Sequence, residues 1–319
     1  MQRGLHQLHA EQFDSALTTA GSLQKSWPTD PAGFLMAANV YQTMMRNYRV
    51  RLFEAEFSAN IETAIKLAEQ QARKSPSPEA FFALGSAKGY NALHLFRRGN
   101  WSRALRDGVI SLNAMERSLS LDRDFVDPMM ALALYDYWKS VKLDFGLRLF
   151  AKRHERAVWL LEKVWQNGRY LSVDAAYALQ SIELKEPDLQ RALEINDWLF
   201  ERFPTSPSCL YYRALIFEGQ GESSKALACW EKLIERILAF GQPSDGYLAE
   251  CYWHCARIRQ GMTAAAAPAA KEQIIIALGH ANRHALNRDP DREMEGLFES
   301  SEAIQEGIEH MLKEYESQR

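Results

Sequence analysis

One amphipathic stretch returns along this chain at an almost constant interval. Ala157 in RHERAVWLLEKV, Ala192 in DLQRALEINDWLFERFP and Ala226 in SSKALACWEKL stand 35 and then 34 residues apart. A period of that length marks stacked supersecondary units, each burying one face against its neighbours, and it decides the fold before any single residue does. The unit is clearest at 209–235. There one amphipathic helix leads into a Gly219-Gln220-Gly221 turn, and a second helix follows with Ala226, Trp230 and Leu233 on one face. Small residues such as Ala214 and Ala226 suit the points where paired helices cross closely, while Phe217 and Trp230 fill the space beside them.

Upstream the pattern continues with wider spacing. AFFALGSAKGY at 80–90 leads through a Gly99-Asn100-Trp101 turn to a helix that stops at Asp127-Pro128. Further copies are suggested at 12–20, closed by Trp27-Pro28, at 61–72, closed by Ser75-Pro76, and at 284–290. Composition agrees with helices. The chain holds 41 alanines and 37 leucines against 8 valines, 14 isoleucines and 7 threonines, which excludes an all-β fold. No run approaches the roughly 18 to 20 uninterrupted apolar residues of a membrane span.

These units resemble tetratricopeptide repeats. In 209–235, Ala214 stands at the usual glycine, Phe217 at the aromatic, Gly221 at the turn glycine, Ala226 at the alanine and Trp230 at the second aromatic; Leu233 replaces the third small residue and the closing proline is missing. The unit at 80–128 keeps Leu84-Gly85, Gly99 and Ala104 but inserts about two helical turns. The resemblance implies an all-α, right-handed α-solenoid of about six helical hairpins, the first short of its leading helix. Its segments fall near 4–27, 34–75, 79–126, 128–168, 172–204, 208–240 and 246–290, with 291–319 as a capping helix. It also implies a concave groove lined by the first helix of each pair, of the kind that holds a peptide or a partner helix.

More narrowly, GYNALHLFRRGNWSRALRDG, ALYDYWKSVKL and FPTSPSCLYYRAL resemble a group of bacterial repeat proteins that commonly begin with a signal peptide. That implies an exported, periplasmic protein whose leader is absent from this chain, since Met1-Gln2-Arg3-Gly4 has no apolar stretch; the alternative is the cytoplasm. The group brings no catalytic motif with it.

The residues themselves add little chemistry. There is no phosphate-binding glycine loop and no Gly-x-Ser-x-Gly elbow, and the pairs Asp122/Asp124 and Asp289/Asp291 stand at helix ends where acids serve as caps. No enzyme and no cofactor are expected. A net charge of −3 gives no global field to recruit nucleic acid. Charge is nevertheless uneven, with a net of +6 over 41–160 and −8 over 161–319. The four cysteines, at 209, 229, 251 and 255, suggest no disulfide framework in a chain this long.

One cluster looks chemical. Cys251, His254 and Cys255 share a helix face, and His280 and His284 are one turn apart, so a metal-binding sensor or enzyme is one alternative. The spacing fits no known zinc pattern, and free cysteines at such positions serve as small core residues. Binding signals are better. Tyr177, Tyr211 and Tyr252 recur at one position of successive first helices, with Phe82 as a looser equivalent, Tyr137 deeper along the wall, and Arg97 and Arg98 beside them. These seven are the expected contacts to a protein or peptide partner, held by a non-catalytic adaptor whose oligomeric state is open. Arg46, Arg49 and Arg51 around Tyr48 form a second basic-aromatic candidate. Self-assembly through the repeat edges is the remaining alternative.

Overall fold

The structure is a computed structural model that describes residues 1–143, 151–185, 188–262, 267–287 and 300–317. Asp289 and Asp291 lie outside them, as does the expected boundary at 290. The described residues form fifteen α-helices and no strand. In chain order these are α1 (Gln2–His9), α2 (Phe13–Ser26), α3 (Ala32–Tyr48), α4 (Glu54–Lys74), α5 (Pro78–Arg97), α6 (Trp101–Leu121), α7 (Met129–Leu143) and α8 (Ala151–Asn167). They continue as α9 (Ser172–Lys185), α10 (Leu189–Arg202), α11 (Pro207–Gly219), α12 (Ser223–Ala239), α13 (Asp245–Met262), α14 (Ala267–Asn287) and α15 (Ser301–Ser317).

Local sequence explains how the helices start and stop. Ser77 caps α5, its hydroxyl accepting from the Ala80 N–H at 3.1 Å, and Pro78 takes the first helical position, where a missing N–H is harmless. Four helices end by one device. After α1, α3, α5 and α11 a residue adopts a left-handed backbone, and the next N–H reaches back to the last turn. These bonds run from Gln12 to the Gln7 carbonyl, Val50 to Met45, Asn100 to Leu95 and Glu222 to Phe217, at 2.8 to 3.0 Å. Gly99 and Gly221 take that conformation freely, whereas Glu11 and Arg49 take it against a steric cost of about 1 to 2 kcal/mol.

The helices gather into two compact groups, the described residues of 1–42 and 53–195 and those of 43–52 and 196–319. In the first, α1 packs on α2, and α4 through α9 pack each on the next. Ala80, Ala87, Ala133 and Ala157 are fully buried, as close crossings require. One tight crossing is at Gly85, where a Cβ would stand 2.9 Å from the Met115 side chain and where the Ser111 hydroxyl donates to the glycine carbonyl at 2.7 Å. In the second group α11 through α14 follow the same rule, with Ala214, Ala226 and Trp230 enclosed. The last helix, α15, lays Ile304, Ile308 and Met311, one stripe of its surface, against α13 and α14.

Candidate functional site

Within the second group the chain builds a buried polar cluster. Arg49, the left-handed residue after α3, forms an ion pair with Glu250 of α13, and its guanidinium lies over the rings of Tyr247 and Tyr211, 3.8 and 5.1 Å from their centroids. The other carboxylate oxygen of Glu250 accepts from the Tyr211 hydroxyl at 2.6 Å. Burial works against charge on Glu250, but Arg49, His254 and the Tyr211 hydroxyl together outweigh it and hold the carboxyl below its usual range. For Arg49 burial again opposes the charge, and Glu250 with Tyr211 and Tyr247 together prevail, so its pKa stands well above the ordinary value. Burial, then the neighbouring carboxylate, raises Tyr211, and burial raises Tyr247.

A second carboxylate sits nearby on α11. Glu218 accepts from Trp230 Nε1 at 2.5 Å and from Arg257 at 2.7 Å, with His254 Nδ1 at 2.7 Å, and His254 stacks on Trp230 with ring centroids 4.3 Å apart. Burial would lift the pKa of Glu218, yet the His254 and Arg257 contacts lower it. These contacts engage the histidines on which the metal alternative relied. His254 is committed to Glu218, and His280 sits 2.6 Å from Asp245 and stacks on Tyr252. Cys251, Cys255 and His284 are buried. Among the described residues no group of three or more His, Cys, Asp or Glu side chains is placed to hold a metal ion. The shared helix face is real, but it faces the core. Burial pushes the Cys209 and Cys255 thiols up to about 12 and raises Cys251 well above the usual range, so these sulfurs are inert packing groups.

The expected tyrosine ladder is not an open one. Tyr211 is enclosed with its hydroxyl on Glu250, and Tyr137 is buried against His154, centroids 5.7 Å apart. On α7 it is Tyr135 and Trp138 that stand exposed, so the register read from YDYW was off by a fraction of a turn. Arg97 is also buried, one residue and about 100° of helix away from exposed Arg98, which pairs with Glu54. Tyr177 and Tyr252 are half-buried. Phe82 is half-buried too, packed edge-on to Phe125 at 5.0 Å and stacked on Tyr170 at 5.8 Å.

What the sequence reading passed over is a solvent-facing apolar surface in the first group. On α6, Trp101, Leu105 and Val109 stand at one-turn intervals, with Trp101 61% and Leu105 72% exposed. Phe96 and Leu93 of α5 add to it across the Gly99 turn, Phe96 edge-on to Trp101 at 4.4 Å. Exposed Arg106 flanks the stripe on the same helix, while exposed Arg103 faces away from it. Trp101 had been seen only as a turn residue, and the i, i+4, i+8 spacing was the signal that could have found the stripe.

No protein-family model matches the chain, and no curated protein matches it significantly. Among solved structures it is similar to the C-terminal part of a TPR repeat-containing protein from Cytophaga hutchinsonii. That likeness covers 90% of this chain and 98% of the other, at 18% identity and a TM-score of 0.44.

Proposed function

We propose that this protein is a non-catalytic adaptor that binds a protein segment, and that the apolar surface around Trp101, Leu105 and Val109 is where it does so. The observation that supports this reading most is the exposure of those side chains. Large apolar residues left in water in one contiguous stripe, rimmed by charge, are what binding surfaces retain and ordinary helix faces avoid. The spacing suits a partner helix or extended segment with apolar anchors one turn apart, and Arg98 and Arg106 suit acidic residues beside those anchors. Tyr177 and Tyr252, which keep an edge at the surface, are further candidate contacts. No helix among the described residues is long and apolar enough to cross a membrane. The partner is therefore sought among proteins and peptides, with no role assigned to nucleic acid or to a cofactor.

The test uses two baits, the full chain and its Trp101→Ser, Leu105→Glu variant. A partner held by the first and released by the second, with both melting alike, supports the reading. An identical set of captured proteins on both baits, or concentration-dependent self-association that the double variant abolishes with no partner found, overturns it.

A further inference from the structure

We infer that the pocket formed by Tyr211, Tyr247 and Glu250 is a guanidinium-recognition site, which Arg49 of the same chain fills. This inference stands apart from the adaptor reading and is tested without any partner.

The pocket has the parts that such a site needs. Two tyrosine rings approach the guanidinium at 3.8 and 5.1 Å, within cation–π range, and a buried carboxylate accepts from its Nη1. The Tyr211 hydroxyl holds one oxygen of Glu250 at 2.6 Å, leaving the other to face Arg49. The residues before Arg49 are gripped as well. The Ser208 hydroxyl donates to Asn47 Oδ1 at 3.1 Å, and Tyr48 stacks on Phe240 with centroids 3.8 Å apart and planes 11° from parallel. Three successive side chains are thus each met by a partner on or beside α11, α12 and α13, which is how a bound peptide is read. The backbone supplies an independent sign. Arg49 holds φ at 53°, at a turn position where Gly99 and Gly221 serve in two other hairpins and Glu11 in a third. Glycine would suit that turn better. What arginine offers there is its side chain, which ends in the pocket.

Because glycine fits the turn, Arg49→Gly empties the pocket while relieving the backbone. The variant is expected to fold with its helical circular dichroism intact and to melt below the parent. Millimolar methylguanidinium should then raise its melting temperature by about 2 to 4 °C, as a ligand confined to the folded state does, while methylammonium at the same concentration and ionic strength leaves it unmoved. The parent, its pocket filled, should respond to neither. Adding Glu250→Gln to the variant should abolish the response. Equal effects of the two cations, no effect of methylguanidinium on folded Arg49→Gly, or a response that survives Glu250→Gln would each overturn the assignment. Should Arg49→Gly fail to fold, Arg49→Lys decides. It keeps the charge but not the planar fork, so a melting temperature below the parent's supports the site, and one equal to it refutes the site.

Discussion

Arg49 and Glu250 show how far a single residue's position can lie beyond periodic reading. Arg49 stood out as one of several arginines around Tyr48, but nothing local says that it meets a carboxylate 201 positions later. Removing one member of such a buried pair leaves the other uncompensated, so Glu250→Gln should destabilise the protein by roughly 3 to 5 kcal/mol in thermal or denaturant unfolding. The pH dependence has a defined sign. A carboxyl whose folded pKa is depressed contributes stability above its unfolded value of about 4.3, and loses it as pH falls through the folded value. Tyr211 and Tyr247 are raised, so their contribution is complete below about 10 and is lost at higher pH. Melting temperature against pH should therefore show an acid limb that Glu250→Gln flattens and an alkaline limb that Tyr211→Phe flattens. At the same scale the buried thiols of Cys209, Cys251 and Cys255 should react with a disulfide reagent only as fast as the protein opens. Half-buried Cys229 should react before them.

At the scale of helices and turns, what was legible was what is local. Gly99 and Gly221 were read as turn residues from the sequence, and both carry the left-handed backbone that makes them so. Ala226 was read as a close-crossing position and Ala192 as its counterpart one repeat earlier, and both are fully buried. Gly221→Ala meets no atom within 4 Å, so its cost of about 1 kcal/mol should come from the backbone alone. Ala192→Trp and Ala226→Trp have no space to enter, and each should cost about 1 to 3 kcal/mol or loosen the array, read as a lowered and broadened melting transition. Asp127 was legible only in part. It was read as helix punctuation before Pro128, yet its carboxylate accepts the N–H groups of Arg169, Tyr170 and Leu171 at 2.7 to 2.9 Å and so pins the connection between α8 and α9. Asp127→Ala strands three donors and should cost about 3 kcal/mol, with Asp127→Asn, which keeps one acceptor, costing less. The donors lie more than forty residues downstream, which is why no pattern in the sequence announced them.

At the scale of the whole chain, helix class follows from composition and period, because both report on short stretches. The facing of individual side chains does not, since each helix is covered by several neighbours and an error of one residue turns a tyrosine by about 100°. That is how Tyr137 was mistaken for its exposed neighbours Tyr135 and Trp138, and how the ladder through Tyr211 was taken for an open one. The surface proposed for binding rests instead on exposed residues of α5 and α6. Its arginines predict that affinity falls as salt is added, because exposed charges are screened over about 10 Å at 0.1 M. The most direct test is a photo-crosslinking amino acid placed at Leu105, with Leu286, an apolar side chain that is 84% exposed, as the control position. The account predicts a discrete crosslinked partner from position 105, competed away by excess unlabelled protein and absent from position 286. Equal labelling from both positions, or a partner captured from 286 alone, would contradict it.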